Sequence, residues 1–288
     1  MTVRRWRLRT EHVTTFDYSA AARASYNEVR QIPQTTARQT ALEARVATTP
    51  AAPQYTYRDY WGTQVVAFNV DGPHDRLVVQ GTALVDTQSA GDPPDAGWDE
   101  VAAAGDRYAE LLAPSRYTWA DGALAEVAAS LRAAPPVTRA TRTTPAATVE
   151  AVMAWTHGSL DYVRGVTHVH TSAAEAFGAG SGVCQDFAHL ALAVLRAAGI
   201  PARYVSGYLH PDPDAEVGAT SAGESHAWVE AWVGDWWGLD PTNGTDIGVR
   251  HVVVARGRDY ADVAPVRGVY AGSAEHQASV TVKVTRAA

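Results

Sequence analysis

The chain has 288 residues, 46% of them hydrophobic and 19% charged, with a formal net charge of -7. That length allows one large domain or two with a full core, and the acidic balance excludes nucleic acid, which selects basic faces. The basic start MTVRRWRLRTEHV lacks the apolar segment of a secretory signal, and no apolar stretch reaches membrane-spanning length. One cysteine excludes an intrachain disulfide and a multi-cysteine metal site, so the expectation is a cytoplasmic protein with no membrane partner, no metal and no cofactor.

Residues 1–90 read as a β-rich domain. TVRRWRLRTEHVTTFDY, TALEARVATTP, TQVVAFNVD and DRLVVQGTALVDTQ alternate or are β-branched, and Pro, Gly, Asn and Asp punctuate them. Several short strands in succession predict a β-sandwich or an open barrel. SAGDPPDAG, at 89–97, reads as a linker, after which the period changes to helical through 91–145 over WDEVAAAGDRYAELLA and ADGALAEVAASLRAA. PPVTRATRTT at 135–144 is a second break, and Pro145 opens a further helix. Within the last segment, 146–288, Ser172 and Glu175 form a capping box for a short helix. The strands ARYVSGYL, HAWVEAWV, WWGLD, HVVVA and QASVTVKVT then complete an α+β layout.

The single cysteine, Cys184, lies where the turn GSGV becomes the helix CQDFAHLALAVLRAAGIP, which Gly199 and Pro201 terminate. Unpaired N–H groups and the positive end of a helix dipole meet there, and both favour a thiolate. A cysteine nucleophile needs a base, and the base needs an orienting group. His226 opens the strand HAWVEAWV and Asp240 ends the next strand, WWGLD. Side chains alternate along a strand, so a two-residue hairpin at Gly234 and Asp235 would put Asp240 on the wrong face. The triad therefore requires a three-residue connection or a bulge near 232–236.

Other residues carry blander readings. Asp186 serves the helix end electrostatically, and His189 lies about 140° around the helix from Cys184. His168 and His170 lack a third ligand. Glu224 and Ser225 are either loop-end polar groups or partners of His226. The tryptophans of the catalytic strands pack the core, and Trp228 is a candidate wall of the cleft.

The runs GVCQDFAHL, ESHAWVEAWV and GLDPTNG resemble the three ordered motifs of the transglutaminase-like superfamily. The flank DYVRGVTHVHTSAAEAF resembles its bacterial transglutaminase-like cysteine proteases. YWGTQVVAFNV and PHDRLVV resemble the β domain that precedes their core, and RHVVVARGRDYADVAPVRGVY matches their tail. The resemblance implies a papain-like core behind a β-sandwich-like domain and an acyl-enzyme mechanism with Cys184 as nucleophile, His226 as base and Asp240 as orienting group. The expected partner is a peptide or protein amide. Hydrolysis is the expected outcome, with true protein-glutamine transglutamination or a non-catalytic binding scaffold as alternatives. Larger transglutaminases place an upstream tryptophan in the oxyanion hole. Trp155 sits in a helical pattern here, so the Cys184 backbone N–H is the expected donor, with Tyr162 a second candidate.

Overall fold

A computed structural model describes residues 4–133 and 144–288. The break at 135–144 lies, apart from Thr144, outside the described residues. The chain opens with β1 (Arg5–Val29), β2 (Gln39–Thr49), β3 (Gln54–Arg58) and β4 (Gln64–Gln88). Trp6, Leu8, Thr10, His12 and Thr14 are buried at every second position of β1, and Leu77, Val79, Ala83, Val85 and Thr87 repeat the pattern in β4. The two apolar runs flanking Asp71, Gly72 and Pro73 predict separate strands, yet they form one strand. Their turn residues mark register shifts against Asp17, Ala22 and Ala24 of β1 instead of a chain reversal. Val66, Phe68 and Val70 before the shift and Leu77 and Val79 after it belong to one buried cluster with Val29 and Val46. The sheet thus folds back on itself in a sandwich-like manner.

Helices follow: α1 (Trp98–Arg107), α2 (Ala109–Leu112), α3 (Gly122–Ala133) and α4 (Pro145–Ser159). Thr144 caps α4 by accepting the Ala147 N–H at 3.1 Å, with Pro145 at the first helical position. The two-residue strand β5 (Asp161–Tyr162) comes next, then α5 (Ala173–Ala179), where Ser172 and Glu175 form the expected capping box. After α5 the chain enters β6 (Ser181–Gly182), which pairs in parallel with β5, and then α6 (Cys184–Ala197). Leu190, Leu192, Val194 and Leu195 of α6 are fully buried, so this helix is the axis of the core.

The remaining elements are β7 (Ala202–Leu209), β8 (Thr220–Gly223), β9 (His226–Trp232), β10 (Trp236–Asp240), β11 (Thr245–Asp246), β12 (His251–Gly257), α7 (Tyr260–Val263), β13 (Val266–Ala271) and β14 (His276–Arg286). Five of them form the core sheet, in the order β11-β10-β9-β7-β12. Glu230 of β9 ties it together by accepting from Arg203 of β7 at 2.6 Å and from Arg256 of β12 at 2.8 Å. The other three strands do not join the core sheet. β14 and β13 pair with β1, and β8 adds outside β14, giving a sheet β2-β4-β1-β14-β8. The sequence division at residue 146 is therefore crossed by three strands, because alternation identifies a strand but not the sheet it joins. No helix among the described residues is long and apolar enough to cross a membrane.

Candidate functional site

Cys184 is the first residue of α6 and is half-buried. The turn ahead of it is fixed by Asp186, whose Oδ2 accepts the Val183 N–H at 2.8 Å and the Thr167 hydroxyl at 2.6 Å. Burial raises the Asp186 pKa while these hydrogen bonds oppose the rise. Gly182 packs on the same carboxylate; a Cβ there would lie 2.7 Å from Asp186 Oδ2, so only glycine fits. The backbone N–H groups of Cys184 and Gln185 have no hydrogen-bond partner among the described residues, as the first helical turn dictates. The Cys184 Sγ lies 4.0 Å from the carbonyl oxygen of Ser225.

His226 and Asp240 meet through the hairpin register. Trp236 pairs with Trp232 and Leu239 with Val229, leaving a three-residue connection, 233–235, with Gly234 at φ 105°. Asp240 thereby falls opposite Trp228, on the same face as His226. His226 Nε2 donates to Asp240 Oδ2 at 2.6 Å. The carboxylate is buried and receives further donors: Asn243 Nδ2 at 2.7 Å on Oδ2, and the N–H groups of Thr242 and Asn243 at 3.0 and 3.1 Å on Oδ1. Burial alone would raise the Asp240 pKa, but its histidine partners hold it far below the usual carboxylate range. For His226 burial also opposes the charged form. The hydrogen bonds to Asp240 and Cys184 and their charges outweigh it, and the imidazole is pushed up to about 10. With Nε2 committed to Asp240, Nδ1 is the nitrogen left for Cys184. A cavity of about 370 Å³ opens beside His226 and is lined by Tyr162, Arg164, Ala222, Gly223 and Glu224 among others.

Residues 133–241 match the model of the Transglutaminase-like superfamily, and residues 8–86 that of the Bacterial transglutaminase-like N-terminal region. An uncharacterised protein of Mycobacterium leprae is 44% identical over 288 residues, covering 98% of this chain and 100% of its own. The chain belongs to the transglutaminase-like superfamily. Its members are commonly cysteine-dependent acyltransferases or proteases. The fold is also that of the crystal structure of "a Putative Cysteine Protease from Cytophaga hutchinsonii", with a TM-score of 0.77 at 24% identity over 99% of this chain and 93% of that one. A 70-residue stretch, 23% of this chain and 10% of the relative, is 41% identical to the Protein-glutamine gamma-glutamyltransferase of Pseudomonas aeruginosa.

The transglutaminase-like core holds one site residue that sequence reasoning missed. His251, the first residue of β12, is buried against the edge of the Trp228 ring, and its Nε2 lies 3.4 Å from Asp240 Oδ2. Burial lowers its pKa and keeps the ring neutral. The Gly248 N–H donates to its Nδ1 at 3.2 Å, so the ring proton sits on Nε2 and points at Asp240. This tautomer bears on metal binding. The donor atoms of His226, Asp240 and His251 all lie within 4.8 Å of one another. A ligating Nε2 would need the proton on Nδ1, where it would oppose the Gly248 N–H, so the cluster does not fit a metal ion. Nothing in the run RHVVVA distinguishes this histidine from any strand residue.

Tyr162 lines the cavity beside His226, and its pKa is raised by burial and by Cys184. Trp228 does not line it. The ring is fully buried among Val205, Val253 and Ile247, 6.0 Å behind His226, because its position on β9 turns it into the sheet-to-sheet packing. Trp155 packs on Phe177. His189 is a core residue: its Nε2 accepts the Tyr260 N–H at 3.2 Å, its ring stacks on Tyr117, and burial lowers its pKa to about 3. His168 and His170 are exposed, and His170 is hydrogen-bonded to Arg116 and Tyr117.

Proposed function

We propose that the protein is a cysteine-dependent acyl-transfer enzyme that opens peptide or glutamine-type amides through a thioester, with water as acceptor. The observation that carries this reading is the 2.6 Å His226–Asp240 hydrogen bond beside a cysteine at a helix N-terminus. Asp240 holds the imidazolium and its orientation, and Cys184 attacks as the thiolate. The carbonyl carbon gains a bond to Sγ, and its oxygen takes up charge facing the free N–H of Cys184, with Tyr162 at the cleft edge as a further donor. His226 gives its Nδ1 proton to the departing amine nitrogen as the C–N bond breaks. Water then loses a proton to His226 and attacks the thioester, releasing the acid and restoring the thiolate–imidazolium pair. No cofactor takes part.

The match to a protein-glutamine gamma-glutamyltransferase supports a second reading, in which a primary amine replaces water. The two are separated by a screen of peptides and glutamine donors with and without an added primary amine. Acid products in the presence of amine support hydrolysis; amine incorporation supports transfer. Cys184→Ala should abolish both while shifting Tm by only a few degrees. Turnover that survives Cys184→Ala sinks the enzyme reading.

A further inference from the structure

The cleft is bordered by a sheet edge that pairs with no further strand among the described residues. β8 is the terminal strand of the first sheet, and it ends three residues before His226. Arg286 N–H donates to the Ala219 carbonyl at 2.9 Å, and Thr285 pairs with Thr220. Antiparallel alternation then turns the N–H and C=O of Ser221 and Gly223 toward β14 and those of Thr220 and Ala222 away from it. These outward groups have no hydrogen-bond partner among the described residues. An open edge is ordinarily blunted with Lys, Pro or a covering loop. Here it carries Thr, Ser, Ala and Gly, and a Cβ on Gly223 would meet nothing within 4 Å. Beneath the edge the cavity floor is apolar, formed by Val282 and Val284 of β14 with Leu209 and Pro211. Tyr162 and Arg164 stand opposite, close enough for Glu224 to act on both electrostatically.

Resting on the acyl-transfer reading above, we propose that the acyl donor is an extended polypeptide main chain that adds as a strand to the outer edge of β8. Main-chain hydrogen bonds to Thr220 and Ala222 supply register, and alternate side chains reach the Val282–Val284 floor, which selects an apolar residue. The Ser225 carbonyl, 4.0 Å from Sγ, marks where the edge delivers the chain to the nucleophile.

The test is the alkylation rate of Cys184 in the intact protein by chloromethyl ketones, in which Sγ displaces chloride. Acetyl-Val-Val-Ala chloromethyl ketone should react about tenfold faster than acetyl-Ala chloromethyl ketone, the gain expected of one or two added hydrogen bonds. Methylating the two valine nitrogens should cancel the gain. So should Ala222→Pro, which removes an outward N–H, while iodoacetamide labels that variant at the wild-type rate. A change in the iodoacetamide rate would mark a disturbed fold, and the N-methyl comparison then decides alone. A gain that is absent, or that survives N-methylation, overturns the proposal. So does a gain that survives Ala222→Pro in a variant with normal iodoacetamide labelling. Such a result with Cys184-dependent amide turnover intact sinks the docking mode alone, whereas turnover that persists in Cys184→Ala sinks the reading beneath it.

Discussion

Replacing Asp240 by Asn preserves size and removes charge, and the structure gives its effect by two routes. Asp240 Oδ2 faces the donors of His226, Asn243 and His251, and Oδ1 faces two backbone N–H groups. An amide oxygen satisfies only one side. If it faces the backbone, the new NH₂ forces His226 to accept at Nε2 and to carry its proton on Nδ1, toward Cys184, where it blocks proton uptake. A wrong tautomer of this kind costs about 10⁴-fold in rate. The second route is electrostatic. Without the carboxylate, Cys184 alone opposes burial, and His226 falls from about 10. Each pH unit of that fall takes about 1.4 kcal/mol, or tenfold, from the ion pair. Wild-type Cys184 should therefore react with iodoacetamide at pH 7 while His226 stays charged. Asp240→Asn should react about 30-fold more slowly, the fall expected when a cysteine without an imidazolium partner is only a few per cent thiolate at pH 7. The assay is alkylation from pH 6 to 9 by mass spectrometry, with circular dichroism as a check on folding. A folded Asp240→Asn protein that alkylates at the wild-type rate and with the wild-type pH profile would refute the reasoning.

Three further outcomes are expected. His251→Phe should lower kcat about tenfold by deleting one donor that orients Asp240, with His226 titrating at higher pH by NMR because the carboxylate is shared with one donor fewer; His251→Gln, which can still donate, should recover most of both. Gly182→Ala should cost about 1–3 kcal/mol in urea denaturation and reduce kcat, because Asp186 must give way and Cys184 lies two residues on. Glu230 is held down to about 2 by Arg256 and Arg203 against the burial that would raise it. Its pKa is depressed in the folded state, so its stabilisation is fully present above about 4.5 and is lost as pH falls toward 2. Glu230→Ala leaves two arginines unpaired and should cost about 3–5 kcal/mol at pH 7 by chemical denaturation, and should flatten the acid limb of the stability curve.

What the sequence made legible were features with local signals. Cys184 was placed by the glycines before it and the stop at Gly199 and Pro201 after it. His226 and Asp240 were placed by strand ends, and their shared face followed from parity. Features decided by long-range pairing were not legible. Asp71, Gly72 and Pro73 look like a reversal, but the opposite strand absorbs them as a register shift. β8 lies between two core strands in sequence and β13 and β14 follow them, yet all three join the first sheet, a choice that edge availability makes and composition does not. His251 is not legible in the sequence because its role depends on the Gly248 N–H fixing its tautomer, a contact no spacing rule encodes. Trp228 shares the parity of His226, but its ring is enclosed behind the histidine and not in the cleft.

The connection at 233–235 has a consequence for how this activity can be gained or lost. Gly234 stands against Ala96, whose N–H donates to the Val233 carbonyl at 3.0 Å, so the loop is docked on the inter-region linker. Its length is odd, and oddness is what brings the carboxylate round to the histidine. Deleting one residue there would leave β9 and β10 paired, the apolar faces interchanged only beyond the turn, and Asp240 facing away from His226. A one-residue deletion at this turn that no bulge offsets therefore parts the carboxylate from the imidazole even though Cys184, His226 and Asp240 all remain.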